Sequence, residues 1–350
     1  MSSLFNFGGP GWFNDVFEVD LILDESTRKV TLKGFVEQTV GLFGSHEKIT
    51  GKLRLKSPLH RSVSHLGITL ELESSLQYYE SLNSVQHAYG PGGEVEVAPP
   101  GTVTGEVDLP FEFDLAKLVG TVYDSYDGER FDVRHSLLVT VKRPWYTFNV
   151  NKNLSIAIQT LSPPLVNGES DVKQQLGVVP RTPLIEVDDC GGKVTFDYQR
   201  AVWNLGDAIE GNVVFSPLEA PLPICKLVLY KIEVADGENA EKTVKELDLV
   251  GGSCTTEPGP IPIEGKTIFC HFPLSEQDLT PTLVELNPTA PTTPTGGDQT
   301  AAVDEDATVN VHYYLRLLVE DGNGKKSWNT HEVILLRNRI SEGILPAGVV

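Results

Sequence analysis

The sequence lacks the features of several specialised protein classes. No apolar run approaches the roughly 20 residues that a helix needs to span a bilayer. The first residues carry no basic stretch and are interrupted by Gly-Gly-Pro-Gly, so we expect no signal peptide. The four cysteines lie far apart without a Cys-x-x-Cys pair, which argues against a metal site or a disulfide framework. We therefore expect a soluble protein of the cytoplasm with reduced thiols.

Basic residues are also scarce. The 28 Lys and Arg residues stand against 48 Asp and Glu residues, which gives a formal net charge of −20. Nucleic-acid binding and simple adsorption to anionic lipid both depend on an excess of cations. We therefore expect no nucleic-acid partner, and we expect most of the acids to lie on a hydrated surface.

The sequence contains no recognisable catalytic motif. The eight histidines show no HExxH spacing, and there is no Gly-x-Ser-x-Gly elbow, P-loop or GxGxxG turn after a strand. His135 and His312 lie next to core positions of a repeated strand, so we interpret them as structural. The acidic clusters Glu186–Asp189 and 304–307 lack the spacing of a calcium loop, which favours solvated loops. We predict a non-catalytic binding protein without cofactor or metal.

A repeated phrase is the main signal that the sequence does contain. "EKITGKLRL" begins at Glu47 and "DAIEGNVVF" begins at Asp207, each with an acid, an isoleucine, a glycine and then alternating apolar residues. Alternation with a period of two indicates a half-buried strand. The next strand repeats with the same spacing of 160 residues, in Ile68, Leu70 and Leu72 against Val228, Tyr230 and Ile232.

Two further strands repeat later in the chain. Phe113 and Leu115 match Phe272 and Leu274, and the strand that begins near Val133 matches the one near Val311. The last offset grows because residues 288–306 are a Pro- and Thr-rich insertion, which we expect to be flexible. Short strands separated by Gly and Pro are typical of antiparallel β-sandwiches.

The expected fold is therefore all-β, with two tandem immunoglobulin-like β-sandwiches. We expect the first sandwich at 1–161, a crossover at 162–183, and the second sandwich at 184–340 with its insertion at 288–306. Residues 341–350 are expected to form a tail.

Two segments carry a specific resemblance, "FEVDLILDESTRKV" from Phe17 and "YDSYDGERFDVRHSLLVTVKR" from Tyr123. The first resembles the first strand and turn of the Vps26 family of arrestin-like proteins, and the second resembles a later segment of that family and the strand that follows. The likeness is collinear over most of the chain. It departs at the 288–306 insertion, at "GGPGWF", at "GSCTTEPGP" and around Tyr146. The remaining similar segments are Ser64–Tyr79, Leu184–Phe215, Leu279–Leu283 and Val311–Arg337.

The resemblance implies a non-catalytic subunit of the retromer complex. Such a subunit docks on a Vps35-type scaffold, which also carries Vps29, and acts with sorting nexins. It helps to capture the cytosolic tails of membrane cargo for retrograde transport from endosomes to the Golgi or for recycling. The resemblance implies a cytoplasmic protein, peripheral on endosome membranes, whose membrane contact is indirect.

Three alternatives remain open at the level of sequence. The chain resembles the Vps26-like subunit of the paralogous retriever complex less closely. Another arrestin-like trafficking adaptor is disfavoured because "APPGT" and "SPPLV" lack the tyrosine of a Pro-Pro-x-Tyr motif. The third alternative is an enzyme built on sandwich loops around Glu186, Asp188 and Asp189.

The resemblance also implies two binding sites. Leu249 and Val250, before Gly251-Gly252, match an exposed apolar pair that binds the Vps35-type scaffold, although an edge strand would explain them equally simply. Ile185 and Val309 match the groove in which a cargo tail adds as a strand beside a sorting nexin. Each is also an ordinary strand-face residue.

Overall fold

The structure is a computed structural model, which describes most of the predicted strands. The backbone alone is described for 78–80, 83–89 and 284–286. The insertion 288–306, the tail 341–350 and most of the crossover 162–183 lie outside the described residues. The described residues are 18–32, 38–58, 61–80, 83–89, 93–118, 122–145, 147–162, 182–188, 190–235, 237–250, 265–275, 279–286 and 309–338.

The first half of the chain forms two main sheets. One has the strand order β1-β4-β10, and the other has the order β2-β3-β13-β12-β6-β7, with β8 paired to β6, β11 paired to β12, and β5 paired to β9 in a separate ribbon. The strands are β1 Glu18–Leu23, β2 Lys29–Leu32, β3 Gln38–Gly44, β4 Lys48–Lys56, β5 Ser62–His65, β6 Ile68–Glu80, β7 Asn83–Tyr89, β8 Glu94–Ala98, β9 Gly101–Thr104, β10 Glu106–Asp114, β11 Tyr126–Asp127, β12 Phe131–Val141 and β13 Val150–Gln159. A short 3-10 helix covers Leu115–Lys117.

The second half repeats this arrangement. One sheet has the order β14-β15-β17-β20, and the other has the order β16-β23-β22-β18-β19, with β21 paired to β22. The strands are β14 Leu184–Val187, β15 Val194–Tyr198, β16 Val202–Asn204, β17 Ala208–Phe215, β18 Ile224–Ala235, β19 Glu238–Asp248, β20 Lys266–Pro273, β21 Leu283–Leu286, β22 Val309–Glu320 and β23 Lys326–Leu336.

The two halves share an unusual detail of topology. Almost all pairings are antiparallel, but β3 pairs in parallel with β13, and β16 pairs in parallel with β23. In each half this parallel pair joins an early strand to the last strand of the same sheet. The all-β fold of two tandem sandwiches is therefore confirmed, and the strands predicted to match occupy matching places in the sheets. The predicted residue match between β6 and β18 is wrong, because the offset there is not 160. Opposite the corresponding residues of β12 and β22, the places of Ile68, Leu70 and Leu72 are taken by Cys225, Leu227 and Leu229, and Tyr230 faces the other side of its sheet. The numerical bounds of the two domains stay a prediction.

The repeated phrase has a structural cause at its acidic residue. Glu47 accepts a hydrogen bond from the backbone N–H of Gly44 at 2.7 Å and also binds the Arg28 guanidinium. Asp207 accepts the backbone N–H of Asn204 at 3.1 Å and binds the Arg200 guanidinium at 2.6 Å. In both copies the carboxylate closes the turn that enters the strand, which explains why an acid stands at this position twice.

Each half has its own apolar interior, and the second extends into the first. The first core lies between the two sheets of the first half, around Ile49, Leu70 and Val139. The second core also includes Tyr126, Phe131 and other residues from the end of the first sandwich. The two sandwiches therefore pack against each other through buried side chains. Among the described residues no helix is long and apolar enough to cross a bilayer.

Candidate functional site

The predicted scaffold-binding pair lies directly after strand β19. Leu249 is 0% exposed and Val250 is 7% exposed, and both belong to the core of the second sandwich. The backbone N–H of Leu249 donates to the carbonyl of Cys225 at 2.9 Å, which extends the β18–β19 ladder by one residue. The expectation that both side chains are exposed is therefore wrong, because the turn folds them inward. Their role in scaffold binding stays a prediction.

The accessible surface beside this turn is charged. Lys226 and Glu246 form an ion pair of 2.5 Å between neighbouring strands, with both side chains partly exposed. The Lys226 ammonium donates to the Glu246 carboxylate, and this hydrogen bond raises the pKa of Lys226. The Asp248 carboxylate accepts the backbone N–H of Val250 at 2.9 Å and fixes the turn. The residues that follow, 251–264, lie outside the described residues.

The predicted cargo residues are also buried. Ile185 on β14 is 0% exposed and Val309 at the start of β22 is 1% exposed. Both belong to the same apolar core as Phe196, which pairs with Ile185 across the sheet. Both residues therefore occupy core positions, as expected if each is an ordinary strand-face residue. Their part in a cargo groove stays a prediction.

Strand β14 is nevertheless the edge of its sheet among the described residues. Part of that edge is already occupied. The Asn329 side-chain amide donates to the carbonyl of Glu186 at 3.0 Å, and the N–H of Leu184 donates to the carbonyl of Thr182 at 2.7 Å. A peptide that added as a strand here would have to replace these bonds.

A buried polar cluster connects the two sandwiches. Glu233 on β18 is 1% exposed at its side chain and forms an ion pair of 2.6 Å with Lys231. The Tyr126 hydroxyl donates to Glu233 at 2.6 Å and accepts from Lys231 at 2.7 Å. The backbone N–H groups of Glu129 and Arg130 also donate to the Glu233 carboxylate, at 2.7 and 2.9 Å. One carboxylate of the second sandwich thus orders the loop before β12 of the first.

The environment keeps Glu233 ionised although it is buried. Burial alone raises the pKa of this carboxyl, but Lys231, the Tyr126 hydroxyl and the Arg130 N–H outweigh burial and lower the pKa below its ordinary value. A second connection lies nearby in sequence, where the Arg337 guanidinium binds the Asp124 carboxylate. We define these groups as the interdomain cluster: Asp124, Tyr126, Glu129, Arg130, Lys231, Glu233 and Arg337.

Sequence reasoning missed the interdomain cluster. The available signal was the alternation in β18, because Lys231 and Glu233 continue the inward face of Leu227 and Leu229. Charged residues on an inward face need partners. The partners come from residues about 105 positions earlier, so the sequence pattern could have flagged the charges without identifying what binds them.

The outer face of the second sandwich carries stacked aromatic rings. Tyr230 and Tyr314 stack with ring centroids 5.4 Å apart, and the Arg316 guanidinium lies 4.2 Å from the Tyr230 centroid. Trp328 on the same sheet is 60% exposed and stands opposite Leu318. Tyr230 itself is only 4% exposed, so Trp328 is the aromatic side chain that this face presents to the surroundings, and exposed aromatic side chains are frequent at protein interfaces.

The titratable groups considered for catalysis have structural partners. His135 is buried between the Ser74 hydroxyl at 2.7 Å and the carbonyl of Tyr123 at 3.0 Å, and burial lowers its pKa to about 4. His312 pairs with Glu332 at 2.7 Å. Both histidines are therefore structural, as predicted.

The acidic loop of the second sandwich shows no convergent arrangement in its described part. Glu186 pairs with Lys193 at 2.6 Å, and Asp189 lies outside the described residues. Within the described residues no group of three or more His, Cys, Asp or Glu side chains is placed to hold a metal ion.

Comparison with known proteins gives consistent matches along the chain. The family model described as "Vacuolar protein sorting-associated protein 26" matches residues 13–289. Vacuolar protein sorting-associated protein 26 of Dictyostelium discoideum is 24% identical over 348 residues, covering 97% of this chain and 86% of that protein. Protein 26B of Homo sapiens and that of Mus musculus are each 25% identical over 337 residues, covering 93% of this chain and 86% of each relative.

Proposed function

The chain belongs to the Vps26 family, and from this premise we propose that it is the retromer subunit that docks on a Vps35-type scaffold. The family consists of non-catalytic trafficking subunits with an arrestin-like fold. Membership of the Vps26 family implies a retromer-related trafficking role. The proposal adds that the complex is retromer itself and not the paralogous retriever complex. The observation that carries it is the near full-length similarity to relatives named Vps26 and Vps26B, including both sandwiches.

In this proposal the second sandwich binds the scaffold and, through it, Vps29. The turn at Leu249 and Val250 lies at the end of β19, beside the exposed Lys226–Glu246 pair. Because both apolar side chains are buried, the contact uses the backbone of the turn and the charged surface around it. The buried side chains of Leu249 and Val250 then support the turn and hold its backbone in a fixed conformation.

Cargo capture is proposed at the edge of β14, with a sorting nexin as co-receptor. Ile185 and Val309 form the apolar base of this region, and the β14 edge offers backbone groups for strand addition. The cargo tail would replace the Asn329 amide on the Glu186 carbonyl. The protein would act in the cytoplasm, peripheral on endosome membranes.

Affinity purification of the tagged full chain from its own cells tests the proposal. We expect a Vps35-type scaffold and a Vps29-type subunit among the partners identified by mass spectrometry. Capture of a retriever-type scaffold would assign the chain to the paralogous complex. Capture of neither scaffold would overturn the proposed function and favour another arrestin-like adaptor.

A matched pair of charge reversals locates the docking surface. Glu246→Lys breaks the ion pair beside the turn and should reduce scaffold capture. Glu112→Lys breaks a comparable exposed pair with Lys48 on the first sandwich, 2.7 Å long, and should leave capture unchanged. Equal effects of the two variants would contradict docking at the turn.

A further inference from the structure

Two carboxylates face each other in the hairpin that β11 forms with β12. Asp127 lies directly opposite Asp132 in the antiparallel register. Both bind the same Nη2 atom of Arg134, Asp127 at 2.5 Å and Asp132 at 3.0 Å, and their side chains are only 18% and 6% exposed. Like charges directly opposite each other destabilise a pair of strands, so two largely buried acids that share one cation require an explanation.

One oxygen of this pair has no donor. Asp127 Oδ1 accepts from Arg134, but Asp127 Oδ2 is buried without a hydrogen-bond partner in the part of the chain that the structure describes. Asp132 also accepts the backbone N–H of Gly128 at 3.2 Å. An ionised carboxylate can only accept hydrogen bonds, whereas a protonated carboxyl can also donate one. A proton on Asp127 would therefore supply a donor for the neighbouring Asp132 carboxylate.

The surroundings of Asp127 favour its neutral form. Burial raises the pKa of this carboxyl, and the charge of Asp132 and the hydrogen bond with it raise the pKa further, to about 6. The Arg134 guanidinium acts in the opposite direction without cancelling these effects. The β6 residues opposite Asp132 and Arg134 are Gln77 and Ser75, which carry no charge.

The charged residues of the hairpin turn are engaged with the second sandwich. Glu129 pairs with Lys242 at 3.0 Å, and Arg130 pairs with Glu238 at 2.7 Å. The proton affinity of Asp127 is therefore set within the hairpin by its burial and by the two charged residues of β12.

The same hairpin is the part of the first sandwich that the interdomain cluster holds. The Tyr126 hydroxyl, next to Asp127 in sequence, donates to Glu233 of the second sandwich. The backbone N–H groups of Glu129 and Arg130 donate to the same carboxylate. All three donors lie on the short segment that carries Asp127, so a change in the hairpin alters how firmly the two sandwiches are joined.

We propose that Asp127 is a proton-binding site that tightens the contact between the two sandwiches in mildly acidic conditions. When Asp127 is ionised, it repels Asp132 across the hairpin and keeps a buried oxygen without a donor. When a proton from the solvent binds, the carboxyl donates to Asp132, the repulsion ends, and the hairpin holds its donors on Glu233 more firmly. This inference does not depend on the scaffold and cargo contacts proposed above.

Hydrogen exchange of the Glu129 and Arg130 N–H groups in the purified full chain tests the proposal. Opening of the hairpin returns Asp127 from a pKa of about 6 to the ordinary value of an exposed aspartate, about 3.9. The closed hairpin therefore gains stability as the pH falls through about 6, keeps the full gain below about 3.9, and lacks it well above 6. Between about pH 7.5 and about pH 5 the equilibrium constant for opening should fall about tenfold, with a matching rise in protection.

Asp127→Asn separates the proton from the rest of the hairpin. Its amide can donate to Asp132 at any pH, while its oxygen can still accept from Arg134. This variant should protect the turn equally at both pH values, at the level that the wild type reaches in acid. Because His135 is present in both chains, the difference between their melting profiles isolates Asp127. Asp132→Asn removes the charge that favours the proton, so its rise in protection should move to lower pH.

Asp197→Asn is the matched control, because it neutralises an exposed aspartate on β15 of the second sandwich. It should leave the protection of the turn as in the wild type at both pH values. Wild-type protection that does not change between the two pH values would overturn the proposal, as would a wild-type profile in Asp127→Asn. A lower melting temperature of Asp127→Asn at neutral pH would also overturn it, because Asp127 would then act only as the ion-pair partner of Arg134.

Discussion

Gly51 and Gly211 occupy equivalent positions in the two sandwiches, and each lies where a neighbouring strand leaves no room for a side chain. A Cβ atom at Gly51 would lie 2.3 Å from the carbonyl oxygen of Ile22. A Cβ atom at Gly211 would lie 2.4 Å from the carbonyl oxygen of Asp197. Because both obstacles are backbone atoms within a sheet, the close approach explains the glycine of the repeated phrase.

Gly51→Ala and Gly211→Ala should each destabilise the protein by about 1–3 kcal/mol, the usual cost of overpacking. The measurement is the free energy of unfolding in urea. Gly206→Ala is the control, because a Cβ atom there would meet no other atom within 4 Å. If Gly211→Ala were as stable as Gly206→Ala, strands β15 and β17 would have moved apart to admit the Cβ atom without loss of unfolding free energy.

The sequence was sufficient to predict the fold because the evidence for it is local and repeated. The alternation along β4 and β17 predicts the strands, and the repeated phrase that both strands contain predicts the duplication. The parallel pairing of β3 with β13 cannot be predicted from the sequence, because a short contact between distant strands produces no periodic pattern of residues. The repeated acid at Glu47 and Asp207 is visible in the sequence, but the backbone N–H groups of Gly44 and Asn204 that it accepts from are visible only in the structure.

The candidate sites were harder to predict than the fold. The glycines after Val250 favoured a turn, and a turn favours exposure, yet the β18–β19 ladder continues to Leu249 and directs the side chain inward. Ile185 was recognised as a possible core residue because β14 alternates. Glu233 was missed because its partners come from the other sandwich.

Leu249→Ala should destabilise the protein strongly, by about 2–5 kcal/mol, because the side chain is fully buried in an apolar core. The check is urea unfolding together with scaffold capture. Glu246→Ala is the control, because Glu246 lies on the exposed face of β19 three residues before Leu249, and it should change the stability little. Unchanged stability with lost scaffold capture in Leu249→Ala would restore the interpretation of Leu249 as a surface anchor.

His135 should make the protein less stable in mild acid. Its pKa is about 4 in the folded chain and near 6.5 when unfolded, since burial disfavours the charged ring. Between these values the unfolded chain takes up a proton that the folded chain does not. This contribution to stability is therefore complete above pH ~6.5 and is lost as the pH falls through about 4, by up to roughly 3 kcal/mol.

The melting temperature of His135→Gln should accordingly fall less steeply between neutral pH and about pH 4 than that of the wild type. His271→Gln is the matched control, because His271 is exposed beside Glu210. It should leave the melting temperature at neutral pH close to that of the wild type. A parallel profile for His135→Gln and the wild type would mean that His135 is protonated without cost in the fold.

Glu233→Ala should be the most damaging single change in the interdomain cluster. It leaves the buried Lys231 without its carboxylate and removes the acceptor of the Glu129 and Arg130 N–H groups. Breaking a buried ion pair on one side costs about 3–5 kcal/mol. Because the lost bonds cross between the sandwiches, limited proteolysis should also cut the loop before β12 faster than in the wild type.

Glu238→Ala provides the comparison for this last prediction. Glu238 pairs with Arg130 at 2.7 Å across the same boundary, but its side chain is largely exposed, so its loss should have little effect on either readout. Tyr126→Phe should fall between the two, since it removes one hydroxyl that donates to Glu233 and accepts from Lys231. If all three variants lowered the free energy of unfolding equally, the buried position of Glu233 would not matter for the contact between the two sandwiches, which would contradict the prediction.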